Sequence, residues 1–178
     1  MTMVNIHYDL LLAQARKDGN QATVKELESI GRPGPTDGGH WAFLGKYNFR
    51  SLWAPSDQEW LRHLRSQAAG LKTTEPEQFK NLEDGMEFTG ERVLPDQLAT
   101  NLPKTACDID TAYFLIQGQD DVITPTQAAV DYFQCIKAPR KESILIPNAG
   151  HFAFMTAADK FLAALISKVR PVAIARGA

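Results

Sequence analysis

The sequence has few cysteines, no long apolar run and no strong excess of charge, and each shortage removes a class of function. Its two cysteines, Cys107 and Cys135, have no metal-ligand spacing. That excludes a thiolate zinc site and a disulfide-dense scaffold. Cys135 falls on an apolar helical face and Cys107 precedes a strand, so both are expected to be reduced and structural. A net charge of −2 offers nothing to a phosphate backbone or an anionic lipid surface; no nucleic acid and no membrane is expected as partner. No apolar stretch approaches the roughly 18 residues of a membrane span. The opening residues MTMVNIHYDL lack the basic start, apolar core and cleavage site of a signal peptide. A cytoplasmic setting is the expectation. No His, Cys or carboxylate cluster has metal spacing, so no metal and no cofactor is expected.

What is present is ordinary globular material. Hydrophobic residues make up 44% and charged residues 22% of 178 residues, enough for one domain with a core. The chain divides near residue 106. Residues 1–106 read as helices joined by polar, Pro/Gly-rich loops. Tyr8, Leu11, Leu12 and Ala15 recur at helical spacing, and Asp18-Gly19-Asn20 closes that helix. A second helix spans about Gln21–Ile30, stopped by Gly31, with Pro33 and Pro35 beyond. After GGHWAFLGKYNF comes a helix DQEWLRHLRSQAAG, with Ser56 as its expected cap and Glu59 completing a capping box. The polar stretch from Leu71 to Leu94 suggests short helices.

Residues 107–178 read differently. TAYFLIQG is a short run of aromatic and β-branched residues ended by Gly118, which suits a strand buried on both faces. Pro125–Cys135 is helical, with the proline in the first turn. Pro139 breaks the chain, and ESILIP is a second buried strand. Thr156–Val169 has Phe161, Leu162, Leu165, Ile166 and Val169 on one expected inner face. Strand, helix, strand, helix at this spacing predicts a βαβ unit with parallel strands, in the α/β class.

In parallel sheets ligands collect beyond the carboxyl ends of the strands. Asp121 and His151 each stand a few residues past such an end. Neighbouring strands are expected to bring them within about 6 Å, close enough for a hydrogen bond after small adjustment. Taken singly, an Asp after a strand is ordinarily a cap or turn residue, and a His in a loop is ordinarily surface.

G-x-x-D-x-x-x-P from Gly118, A-P-x-K from Ala138, and then G-H-F from Gly150 resemble in combination the end of the α/β-hydrolase fold. The upstream run YDLLLAQARKDGNQATVKELESIGRPGP resembles the helical cap of the proline iminopeptidase-like branch. The resemblance implies a helical cap over residues 1–106 and a C-terminal α/β-hydrolase segment over 107–178, with about two parallel strands. It implies a serine hydrolase of peptidase, aminopeptidase or esterase type, whose triad runs Ser, acid, His. The matching acid is Asp121, with Asp120 its neighbour; the matching base is His151. The carboxylate would hold the imidazole, which takes the serine proton and returns it to the leaving group.

The departure from that family is the nucleophile, because no G-x-S-x-G occurs in the chain. Ser29-Ile30-Gly31 has Leu27 in place of the first glycine, and Ser143 opens a strand on the wrong side of the sheet. Two function classes follow. In one, a longer gene product or a separate chain supplies the nucleophile half, and a small-molecule or short-peptide substrate binds the completed site. In the other, the chain is a catalytically inactive truncated remnant or interaction module. Either way an unpaired strand edge favours self-association. His40 and His63 read as surface or cap residues. Trp41, Phe43, Trp53 and Trp60 suit either a cap pocket or core. Glu83, Asp84, Glu87 and Glu91 suit either a substrate amine or a solvated face.

Overall fold

The computed structural model describes residues 3–32 and 40–175, without the side chains of residues 40–42, 94, 95 and 98. The described residues are mostly helical with a small two-stranded parallel sheet, compatible with the α/β class. Helix α1 (Met3–Lys17) and helix α2 (Gln21–Ile30) form an antiparallel-type hairpin through the expected turn. Gly19 sits at φ 69°, a left-handed conformation that suits glycine. Asn20 caps α2 by accepting from the Thr23 N–H, and Gly31 ends it. Pro33 and Pro35 lie outside the described residues.

This hairpin closes a core. Tyr8, Leu11 and Ala15 of α1 meet Val24 and Leu27 of α2, with Leu44 from α3 (His40–Lys46) and Phe49 from a 3₁₀ turn (Phe49–Leu52). The Tyr8 hydroxyl donates to the Leu27 carbonyl at 2.9 Å, so this buried phenol is satisfied. Phe43 and Trp53 pack against the same cluster, which answers the pocket-or-core choice for them in favour of core. Trp60 instead lies beside His63, with ring centroids 5.6 Å apart. The side chains of His40 and Trp41 lie outside the described residues.

Helix α4 (Pro55–Thr74) begins one residue before the expected cap. Ala54 holds the cap position and Pro55 the first helical position, where its missing N–H and preset φ cost nothing. Ser56 is therefore inside the helix, its hydroxyl buried without a protein partner, and the expected capping box does not form. The polar stretch is not a set of short helices either. Pro76 breaks the chain after Glu75, and α5 (Pro76–Arg92) then runs unbroken, because no further proline occurs within it. No α5 side chain is buried, so Glu83, Asp84, Glu87 and Glu91 form a solvated face. Short helices α6 (Leu94–Ala99) and α7 (Leu102–Thr105) lead to the sheet.

Strand β1 (Tyr113–Gly118) pairs in parallel with β2 (Lys141–Ile146), in register from Tyr113 opposite Lys141 to Gly118 opposite Ile146. Helix α8 (Thr126–Cys135) makes the crossover, with Pro125 at its cap rather than inside it. The strand boundaries match the apolar runs, but burial does not. In β2, Ile144 and Ile146 face inward while Ser143 and Leu145 face out, and Leu145 is 37% exposed. A strand buried on both faces needs a layer on each side, and this one has cover on one.

Beyond β2 come α9 (Ala153–Thr156), α10 (Ala158–Ala164), a π turn (Leu165–Val169) and α11 (Arg170–Ala175). The expected single helix is interrupted at Ala157, and the wider turn precedes Pro171, whose ring would clash with a carbonyl four residues back in a regular helix. Phe161 packs inward against Ile146, Ala149 and Ala153, but Leu162 and Ile166 point out, contrary to the inner face expected for them.

The cysteines also depart from expectation. Cys107 and Cys135 are joined in a disulfide, with Cα atoms 5.5 Å apart. The Asp108–Lys137 bridge explains the approach, since it lays the segment before β1 beside the end of α8. Disulfides persist in oxidising surroundings, so the expectation of a reducing compartment loses its cysteine support. Among the described residues no helix is long and apolar enough to cross a membrane.

Candidate functional site

The site is built at the carboxyl ends of β1 and β2. Gly118 ends β1, and a Cβ there would stand 2.1 Å from the Gly150 carbonyl oxygen, so only glycine lets the two strand-end loops touch. Asp121 follows in a tight turn. Its Oδ1 accepts from the backbone N–H groups of Ile123 (2.9 Å) and Thr124 (3.0 Å), and its Oδ2 from the Thr124 hydroxyl (2.8 Å) and the Gln117 amide (3.1 Å). This is the local turn chemistry of aspartate. It also fixes the carboxylate for a further partner.

That partner is His151. Its Nδ1 lies 3.1 Å from Asp121 Oδ2 and 3.1 Å from the Thr124 hydroxyl oxygen. An ionised carboxylate only accepts, so Nδ1 carries the hydrogen and, in the neutral ring, Nε2 is left as the proton-accepting atom. The Asp121 side chain is 2% exposed and the His151 side chain 32%. The acid is thus sealed and the imidazole reachable. Both the turn reading and the paired reading of Asp121 hold; Asp120 is simply exposed.

The electrostatics follow from these contacts. Burial pushes the Asp121 carboxyl up, but the hydrogen bonds from His151 and from the Thr124 side chain and backbone outweigh it and hold the acid below the usual carboxyl range. For His151 the hydrogen bond to Asp121 leads. It raises the imidazole above its ordinary value against the downward push of burial, with the charges of Asp121 and Asp57 adding. The pair therefore favours an ionised acid beside an imidazole that holds its proton more firmly than usual.

A shallow cleft of about 220 Å³ opens beside them, lined by Gly118, Asp121, Thr124, His151, Phe154 and Phe161 among others. Larger hollows lie against α1–α3 and along α5–α6. Neither brings an acid and a base into contact in this way. Among the described residues no group of His, Cys, Asp and Glu has the arrangement to hold a metal ion.

Two residues around this site have no counterpart in the sequence reading. Asp57, in the first turn of α4, is 1% exposed, and the backbone N–H groups of His151 and Phe152 donate to its carboxylate at 2.6 and 3.2 Å. His7 of α1 is fully buried, and its Nε2 reaches the carbonyls of Val122 (2.9 Å) and Ile123 (3.2 Å), just past the acid. His7 does share the helical stripe of Val4, Tyr8 and Leu11, which was the available signal for its burial. Asp57 had a weaker one, an acidic residue in a first helical turn, and that does not name a distant partner.

Compared with known proteins, the chain matches no family model, no curated protein and no solved structure.

Proposed function

We propose that the chain is the C-terminal portion of a serine hydrolase of the α/β-hydrolase family, of peptidase, aminopeptidase or esterase type. Asp121 and His151 are its triad acid and base, and the serine comes from a nucleophile half outside this sequence. The observation that carries the reading is the 3.1 Å contact between His151 Nδ1 and the sealed Asp121 carboxylate at the ends of two parallel strands. In such a site the ionised acid fixes the tautomer and stabilises the imidazolium, while Nε2 takes the serine proton and passes it to the leaving group. The Thr124 hydroxyl, bonded to both members, supports the same ring orientation. The motif series Gly118…Asp121…Pro125 and Gly150-His151-Phe152 supports it from the sequence.

The test is hydrolysis of proline p-nitroanilide and a p-nitrophenyl ester. The isolated chain is expected to give background rates, since it lacks G-x-S-x-G. Completed by a G-x-S-x-G half of this fold, it is expected to turn over, and His151→Ala to remove about six orders of magnitude of that rate. Turnover of the completed protein that ignores His151→Ala overturns the reading.

The second reading, an inactive remnant or interaction module, is favoured by one observation. The sheet has two strands, fewer than independent stability usually needs, with apolar Leu145, Leu162 and Ile166 exposed around it. Failure of every completion to give turnover, with self-association of the chain in size-exclusion chromatography, selects this alternative.

A further inference from the structure

We propose that Asp57 is a positioning residue for His151, holding the loop that carries the imidazole and tying it to the helical segment. The inference rests on the reading of His151 as a base and adds the device that sets its place.

Three observations converge on Asp57. Its carboxylate is 1% exposed, and a buried charge is retained only where its oxygens are used. Here Oδ2 takes the His151 N–H at 2.6 Å and Oδ1 takes the Phe152 N–H at 3.2 Å, so each oxygen holds one amide at the entry to α9. These contacts span 94 and 95 positions of sequence, from the helical segment to the base loop. Finally, Gly150 has no side chain where one would destroy the contact. A Cβ there would stand 2.1 Å from Asp57 Oδ2 and 2.9 Å from the Ala54 Cβ.

The arrangement is a stack. Gly118 leaves room for the Ala149 and Gly150 carbonyls, where a Cβ would clash, and Asp57 accepts from the next two amides. With its backbone so held, the His151 imidazole keeps its 3.1 Å contact with Asp121. Two charged groups face the imidazole: Asp121 from the loop after β1 and Asp57 from α4. Asp57 thus acts on His151 in two ways, through the backbone position and through its charge. Its helix carries no other buried residue among those described, so this carboxylate is the chief buried tie between α4 and the His151 loop.

The test uses the whole 178-residue chain in four forms: unaltered, Asp57→Asn, Gly150→Ala and Asp121→Asn. Hydrogen exchange by mass spectrometry follows peptides from the His151 loop and from α1–α2. Diethyl pyrocarbonate modification, mapped to His151 across pH, reports its titration. Asp57→Asn and Gly150→Ala are expected to speed exchange of the His151 and Phe152 amides by about ten- to a hundredfold, the scale of a lost hydrogen bond to a charged group. The α1–α2 peptides keep their protection. Asp57→Asn also moves the midpoint of His151 modification to lower pH, which a purely structural cap would not do. Unaltered loop exchange with an unaltered midpoint overturns the proposal. So does loss of α1–α2 protection in both variants, which would make Asp57 a support of the whole fold. Asp121→Asn separates the two readings: a His151 midpoint indifferent to it defeats the triad assignment and leaves the role of Asp57 standing.

Discussion

Among the described residues, two helical hairpins end in opposite situations. The α1–α2 pair buries Val4, Ile6, Tyr8, Leu11, Ala15, Val24 and Leu27. The α4–α5 pair buries Asp57 alone among its described side chains, and Leu64, Leu82, Met86 and Phe88 stand in solvent. Both have apolar residues at helical spacing. The difference is that the first finds a third layer in α3 and the 3₁₀ turn, and even reaches the acid loop through His7 and Val122. The second is tied through Asp57 in its first turn to the His151 loop. A helical period makes a face; it does not supply what covers the face.

The largest expected effect breaks this contrast at its core. Leu27 is fully buried, so Leu27→Ala should cost about 2–5 kcal/mol in a denaturant melt. Leu82, 50% exposed, should change stability by no more than about 0.5 kcal/mol when made Ala. Equal losses at both sites would mean that α5 is covered in solution. Next comes the disulfide, which closes a loop containing β1, the acid turn and α8. Its removal by Cys107→Ser with Cys135→Ser should cost about 2–4 kcal/mol. Hydrogen exchange should quicken in α8 and leave α1–α2 alone.

The smallest effect is the pH dependence of the acid–base pair. The Asp121 carboxyl is lowered in the fold, so its contribution is present above the ordinary carboxyl range and lost as pH falls through the lowered value. The His151 imidazole is raised, so its contribution is full below its ordinary value of 6.5 and lost as pH rises through the raised value. Stability from the pair should therefore peak between those limits. Asp121→Asn should flatten the profile on both flanks, read as the denaturant midpoint across pH. A profile unchanged by that substitution would show the pair to be energetically idle.

The α1–α2 hairpin is legible in the sequence because its signals are local: a stripe at helical spacing, Asn20 as cap, Gly19 and Gly31 as stops. The strands are legible for the same reason, and Asp121 and His151 follow from them, since parallel neighbours put their ends together. The misses are of another kind. Ser56 loses the cap to Ala54 because a proline at the first helical position competes with a capping box one residue on. Leu162 and Ile166 share the period of Phe161, yet both stand exposed, since a period makes a face without supplying its cover. The cysteines have no spacing that announces a pair.

By itself the sequence determined the α1–α2 hairpin, the two strands with their crossover helix, and that an acid and a histidine close those neighbouring strands. Tertiary structure alone decided which faces are covered, that Cys107 meets Cys135, and that Asp57 grips the base loop. The physical reason is range. Caps, periods and turns act between residues a few positions apart, so the chain states them directly. The bond from His151 to Asp57 spans 94 positions and that from His7 to Val122 spans 115. Their partners are backbone groups, which every residue has and which no sequence pattern distinguishes.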